Sequence, residues 1–127
     1  MTDAADPPIH LTPLNDAHQD LGARLIEFSG WLMPVQYGSI IEEHRTVRSK
    51  AGLFDLSHMG ELYVEGPEAG LALAAALVSD PPSLAVGRAH YSMMTMPDGG
   101  IVDDLIVYRI DAETYLLVVN ASNIEKD

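Results

Sequence analysis

The C-terminal part of the chain leaves little freedom in how it folds. Three runs rich in β-branched, aromatic and other apolar residues, 89–95, 101–110 and 114–119, are separated only by Pro97-Asp-Gly-Gly100 and Asp111-Ala-Glu113. Strands joined by connections this short pair antiparallel, because a parallel crossover needs a dozen or more residues. Two helices are predicted ahead of them. The first covers 39–50: Ser39 and Glu42 stand at capping-box spacing, Ile40, Ile41, His44 and Val47 form one stripe, and Gly52 is a stop signal. The second covers 67–78, opens on proline, consists mostly of Ala and Leu, and stops at Asp80-Pro-Pro82. Helices followed by a run of strands predict an α+β fold, an antiparallel sheet with flanking helices.

Other segments carry weaker signals. Residues 1–12, rich in Pro, Asp and Ala, read as a flexible arm, and 13–127 as a single domain. A helical pattern over 16–26 is weakened by Gly22. Gly30, Pro34 and Gly38 make 28–38 irregular, and its Phe28, Trp31 and Tyr37 read as an aromatic plug on the core or part of a ligand wall, the plug being favoured. Residues 53–65 alternate well enough for one or two strands. Ser122 and Glu125 repeat the capping-box spacing, so a helix is expected to be starting where the chain stops at Asp127. One helical turn is not stable alone, and the chain reads as cut in mid-element.

Composition excludes several functions. The net charge of −12, with no stripe of Lys and Arg, argues against a nucleic-acid partner. No apolar run is long enough to span a bilayer, and the acidic N-terminus is unlike a signal peptide. Cysteine is absent, which removes disulfides, thiolate catalysis and most zinc sites and suits a reducing cytoplasm. The five histidines lack metal-binding spacing, so no metal is expected. Ser57 and His58 are adjacent, and neighbours on a strand face opposite ways, which disfavours a nucleophile–base pair. The glycines match neither the dinucleotide fingerprint nor the phosphate-binding loop. Met93, Met94 and Met96 read as adaptable core filler.

The adjacent carboxylates Asp103 and Asp104 stand out, because they open a run that otherwise reads as a buried strand. Alternation puts Asp104, Ile106 and Tyr108 on one face and Asp103, Leu105 and Val107 on the other, so only one carboxylate can look into a pocket. Asp104 shares its face with an aromatic ring. A structural role and a ligand role for it are equally open on chemistry alone. Pairing through the 111–113 turn could bring Asn120 near Asp104, and Tyr91 and Tyr108 could supply flat walls. Such a group would suit a planar nitrogen heterocycle.

The chain resembles a known family, the aminomethyltransferases, or T proteins, of the glycine cleavage system. The resemblance runs through Thr12-Pro-Leu14, Leu21-Gly-Ala23, Gly30-Trp31, Met33-Pro-Val-Gln-Tyr37, Glu42-Glu43-His44 and Val47-Arg48. It continues through Gly52-Leu-Phe-Asp55, Ser57-His-Met-Gly60, Val64-Glu-Gly-Pro67, Tyr91-Ser92, Gly99-Gly-Ile101, Asp103-Asp-Leu-Ile-Val-Tyr108, Val118-Val-Asn120 and Asn123-Ile-Glu-Lys-Asp127. Nearly everything after the first ten residues is covered, in order and at the family's spacing.

The resemblance implies an enzyme that takes the aminomethyl group from the lipoyl arm of the H protein, releases ammonia and passes the one-carbon unit to tetrahydrofolate. It implies that Asp104 is the essential aspartate and that Met59, Tyr91, Ile106, Tyr108 and Asn120 contact the folate. Asn15 and Leu32 depart from the residues usual in the family, at positions that map to no folate contact. Family members are much longer, with three domains around a central folate channel. The resemblance therefore implies the N-terminal part of the folate-binding domain, inactive alone. The alternatives are the folate domain of a dimethylglycine or sarcosine dehydrogenase and a non-catalytic folate-binding fragment; Asp-Asp-Leu-Ile-Val-Tyr and Ser-His-Met-Gly look more like the glycine-cleavage branch.

Overall fold

The computed structural model describes residues 8–127, so most of the expected arm lies outside the described residues. The chain divides between His58 and Met59 into two compact units.

The first unit contains β1 (His10–Leu11), α1 (Asn15–Asp20), β2 (Arg24–Phe28), β3 (Trp31–Gln36) and α2 (Ile40–Ser49). Its sheet has the order β1-β3-β2, with β1 parallel and β2 antiparallel to β3. His10 and Leu11, within the arm expected from sequence, are thus paired, and Thr12 after them is buried. The helical pattern over 16–26 ends at Asp20, because Gly22 takes a left-handed φ of 73° and turns the chain into β2. The segment expected to be irregular is a tight hairpin. Ser29 (φ 51°) and Gly30 (φ 82°) supply two consecutive left-handed residues, and Phe28 pairs with Trp31. Pro34 is tolerated in β3 because the ladder is bulged there and β1 pairs no further than Leu32. Phe28 and Tyr37 are exposed, so the aromatic plug is not formed.

Helix α2 falls within its expected bounds, but its capping differs. Ser39 has the extended conformation of a cap and makes no side-chain bond. Glu43 instead reaches back, and its Oε1 accepts from the backbone N–H groups of Tyr37 and Gly38, each at 2.9 Å. Those two bonds hold the Glu43 carboxyl below its ordinary value. The helix has no buried residue, so the stripe expected to face a core (Ile40, Ile41, His44, Val47) is exposed.

The second unit contains β4 (Gly60–Glu65), α3 (Ala69–Ala76), a turn of 3-10 helix (Pro81–Ser83), β5 (Ala89–Thr95), β6 (Ile101–Arg109) and β7 (Thr114–Val119). The four strands are antiparallel in the order β4-β7-β6-β5, which is the expected meander with β4 added beside β7. Of the 53–65 segment only β4 is strand. Ala69 and Leu73 of α3, with Leu77 at its end, pack on Leu105, Val107, Tyr115, Leu117 and Val119. Fully burying one such Leu or Val is worth about 1.5–3 kcal/mol. Burial alternates residue by residue along β6 and β7, so one sheet face meets α3 and the other is left open. Met94 packs against the core from β5. The helix expected from Ser122 is absent: Asn123 N–H donates to Asn120 O and Lys126 N–H to Asn123 O in successive turns. Ile124, carried by those turns, packs on the core. Among the described residues no helix is long and apolar enough to cross a membrane.

Candidate functional site

The open face of the second unit carries the group singled out from sequence. Asp104, Ile106 and Tyr108 project there from β6, while Asp103, Leu105 and Val107 are buried toward α3. Register adds the neighbours. Met93 lies opposite Asp104, Tyr91 and Val118 flank Ile106 from either side, and Ala89 and Leu116 flank Tyr108. Asn120 follows the last residue of β7. Met59 is half-buried and immediately precedes β4, outside the strands. Asp104, Tyr91 and Asn120 are brought together by hydrogen bonds, with Ile106 and Tyr108 beside them on the same face.

Both oxygens of the Asp104 carboxylate are engaged. The Tyr91 hydroxyl donates to Oδ2 at 2.9 Å, and Asn120 Nδ2 donates to Oδ1 at 3.1 Å. The bond to Asp104 raises the Tyr91 phenol above its ordinary value, since the carboxylate favours the protonated donor. Tyr91 and Tyr108 keep exposures of 63% and 37%, so both rings remain available as walls.

Asp103 behaves differently. Only 3% exposed, it accepts from Asn120 N–H at 3.0 Å, from Asn120 Nδ2 at 2.9 Å and from Asn123 Nδ2. Burial works against ionisation, but these donors outweigh it and hold the carboxyl down to about 2. Asp103 thus ties the start of β6 to the turns after β7. Asp127 nearby is pushed up to about 6 by burial and by its proximity to Asp103.

A second polar cluster, in the first unit, was not read from the sequence. His18 Nε2 lies 2.8 Å from Asp55 Oδ2, and Tyr37 Oη lies 2.8 Å from His18 Nδ1. Burial of Asp55 works against its ionisation, yet hydrogen bonds from Ser57 and His18 win and hold it well below the usual carboxylate range. Leu14, Ala17, Leu21, Leu53 and Phe54 complete a cavity of about 600 Å³ beside this cluster. Both ring nitrogens of His18 are occupied, so the cluster is self-satisfied and leaves no atom for proton transfer or metal ligation. No local pattern announces it, because Asp55 is 37 residues from His18.

The second unit is thus an α+β domain that covers one sheet face with a helix and presents a tethered carboxylate beside two tyrosines on the other. The family model described as GCVT N-terminal domain matches residues 14–127, and the chain belongs to that family. It is 57% identical over 116 residues to an aminomethyltransferase of Chlorobium luteolum and 58% identical over 116 residues to one of Halothermothrix orenii. Each alignment covers 91% of this chain and 32% of the relative, so the chain spans about a third of the length of these curated relatives. It also matches the crystal structure of glycine cleavage system aminomethyltransferase T from Bartonella henselae, with a TM-score of 0.88 and 40% identity, covering 92% of this chain and 33% of that one.

Proposed function

We propose that the open face of the second unit is part of the tetrahydrofolate site of an aminomethyltransferase of the glycine cleavage system. On this reading residues 13–127 are the N-terminal part of its folate-binding domain. One observation carries the reading: Asp104 is the exposed member of the carboxylate pair, and Tyr91 and Asn120 hold its two oxygens on a face walled by Ile106 and Tyr108. The naming of the similar proteins as aminomethyltransferases supports it.

The residues fit such a substrate chemically. A carboxylate accepts hydrogen bonds from ring and amine N–H groups, Asn120 both donates and accepts, and the tyrosine rings can lie against a flat heterocycle. In the reaction the one-carbon unit leaves a lipoyl sulfur with release of ammonia and is taken up by a folate nitrogen. Asp104 would orient that nitrogen and stabilise the positive charge that develops as ammonia departs. Met59 would complete the wall from the start of β4. The donor partner is the lipoylated H protein, and the absence of cysteine suits a cytoplasmic setting.

Calorimetry on a protein of the relatives' length that carries these residues tests the reading. Saturable binding of tetrahydrofolate is expected; a well-folded protein that binds none of it would overturn the assignment.

A further inference from the structure

Asp103 and Asp104 point to opposite faces of β6, so the buried one should have no say in what the exposed one does. Asn120 removes that separation. Its Nδ2 lies 2.9 Å from Asp103 Oδ1, 2.8 Å from the Asp104 backbone oxygen and 3.1 Å from Asp104 Oδ1. Its backbone N–H donates to the other oxygen of Asp103 at 3.0 Å. Asp103 therefore grips Asn120 at two points, the main chain and the side chain.

The grip decides which way the Asn120 amide faces. A primary amide can turn about its last bond and exchange its carbonyl for its NH2 group. Here the turned form would set a carbonyl oxygen against three other oxygens, one of them on a buried anion. Asp103 stays ionised down to about 2, because donors surround it, so the repulsion acts across the neutral range. The amide is thus locked with its NH2 toward Asp104. An NH2 group has two hydrogens and here three acceptors. Asp104 Oδ1 is the most distant of the three and keeps the capacity to accept from an incoming N–H.

We infer that Asp103 is a positioning residue for Asp104, acting through the Asn120 amide rather than only anchoring the turns after β7. Its consequence for folate rests on the function proposed above; the link itself does not. Removing Asp103 frees Asn120, and the Asp104 carboxylate loses the donor that fixes one of its oxygens. The Tyr91 hydroxyl on the other oxygen reports that loss, because its raised titration depends first on the bond to Asp104.

The test is a ligand-free titration of Tyr91, followed by NMR of its ring carbon, in the wild-type chain, Asp103→Asn, Asn120→Ala and the double variant. Action through Asn120 predicts that Asn120→Ala lowers the Tyr91 midpoint and that the double variant falls no further than Asp103→Asn, which also loses the direct pull of the Asp103 charge. Non-additivity is the mark of residues acting in series. The inference is overturned if Asn120→Ala leaves the midpoint at the wild-type position, which would mean that Asp103 acts on Tyr91 only through its charge. It is also overturned if the two single effects add in the double variant. Should Asp103→Asn fail to fold, Asp103→Glu, which keeps the charge but moves the carboxylate off the Asn120 amide, takes its place, and a wild-type Tyr91 midpoint in it overturns the inference. In a protein of the relatives' length, Asp103→Asn is further expected to weaken tetrahydrofolate binding at least about tenfold, the effect of losing one positioned hydrogen bond to a charged group. If the wild type bound no folate, the proposed function would fall while the Tyr91 titration still decided the link.

Discussion

The Tyr91 hydroxyl donates to Asp104 Oδ2 at 2.9 Å although the strand register sets Tyr91 opposite Ile106. The bond is a diagonal between neighbouring strands, within reach only of a long side chain. It occupies one carboxylate oxygen that an incoming N–H would otherwise use. Tyr91→Phe keeps the ring as a wall and removes the donor. Since Tyr91 is 63% exposed, stability should change by no more than about 0.5 kcal/mol. Turnover in a protein of the relatives' length should fall, though less than on loss of Asp104 itself. A Tyr91→Phe loss as large as that of Asp104→Asn would show that the hydroxyl takes part in the chemistry directly.

The two aspartates should separate by stability, because only Asp103 is buried. Asp104→Asn should lower turnover at least about tenfold with little effect on stability, because a charged, positioned group is lost from an open face. Asp103→Asn should cost about 0.5–3 kcal/mol of stability through its buried contacts. The pH dependence follows from the depressed value of about 2. An unfolded aspartate titrates near 3.9, so the stability that Asp103 contributes is fully present above about pH 4. It is lost as pH falls through about 2. Urea midpoints of wild type and Asp103→Asn should therefore converge between about pH 4 and pH 2. A gap that stayed constant over that range would show that Asp103 does not act as an ion.

Much of the site was legible because strand alternation is a local rule. Period two alone separated Asp103 from Asp104, and the short 111–113 turn alone suggested that Asn120 lies near Asp104. What the sequence did not yield depended on longer range or finer geometry. The β2–β3 hairpin turns on two left-handed residues, Ser29 and Gly30, and the first of these is not a glycine that would flag it. Both capping boxes had the right spacing and neither formed. Glu43, one position after the expected glutamate, captured the backbone ahead of α2. Past Ser122, the Asp103 hydrogen bonds hold Asn120 and Asn123 in turns. The exposed stripe of α2 shows that periodicity identifies an apolar face and does not say what covers it.

Gly60 tests how closely the sheet is packed at the site's margin. A Cβ built there would lie 2.6 Å from Val119 Cγ2 and 2.7 Å from Ile124 Cγ1. Val119 is fully buried, so it has little room to move away. Gly60→Ala should therefore cost about 1–3 kcal/mol by overpacking. The strain falls next to Asn120, which follows Val119, so folate binding should weaken as well. Denaturant melts and calorimetry on the same preparation measure both. Unchanged stability would mean that the turns carrying Ile124 give way freely.

The first unit leads to the last prediction. Its buried side chains are polar, Thr12, Asn15 and His18, while the described apolar core lies entirely in the second unit. Leu53 is fully exposed, and Ile40, Ile41, Val47, Phe54 and Leu56 all have exposures above 40%. Several of these are neighbours: Val47, Leu53 and Phe54 line one cleft beside α2, together with Tyr37 and Gly52. Contiguous apolar surface beyond a few hundred Å² is rare on monomeric soluble proteins and favours association. The net charge of −12 opposes association through long-range repulsion, but salt at about 0.15 M screens it within about 8 Å. The purified 127-residue chain should therefore self-associate at about 100 µM in physiological salt, and less so in low salt. The double substitution Leu53→Ser and Phe54→Ser should shift it toward monomer with little loss of stability, since both side chains are already in water. Sedimentation velocity over a concentration series reads this directly. A wild-type chain that stays monomeric throughout would show that this surface is not sticky enough to matter.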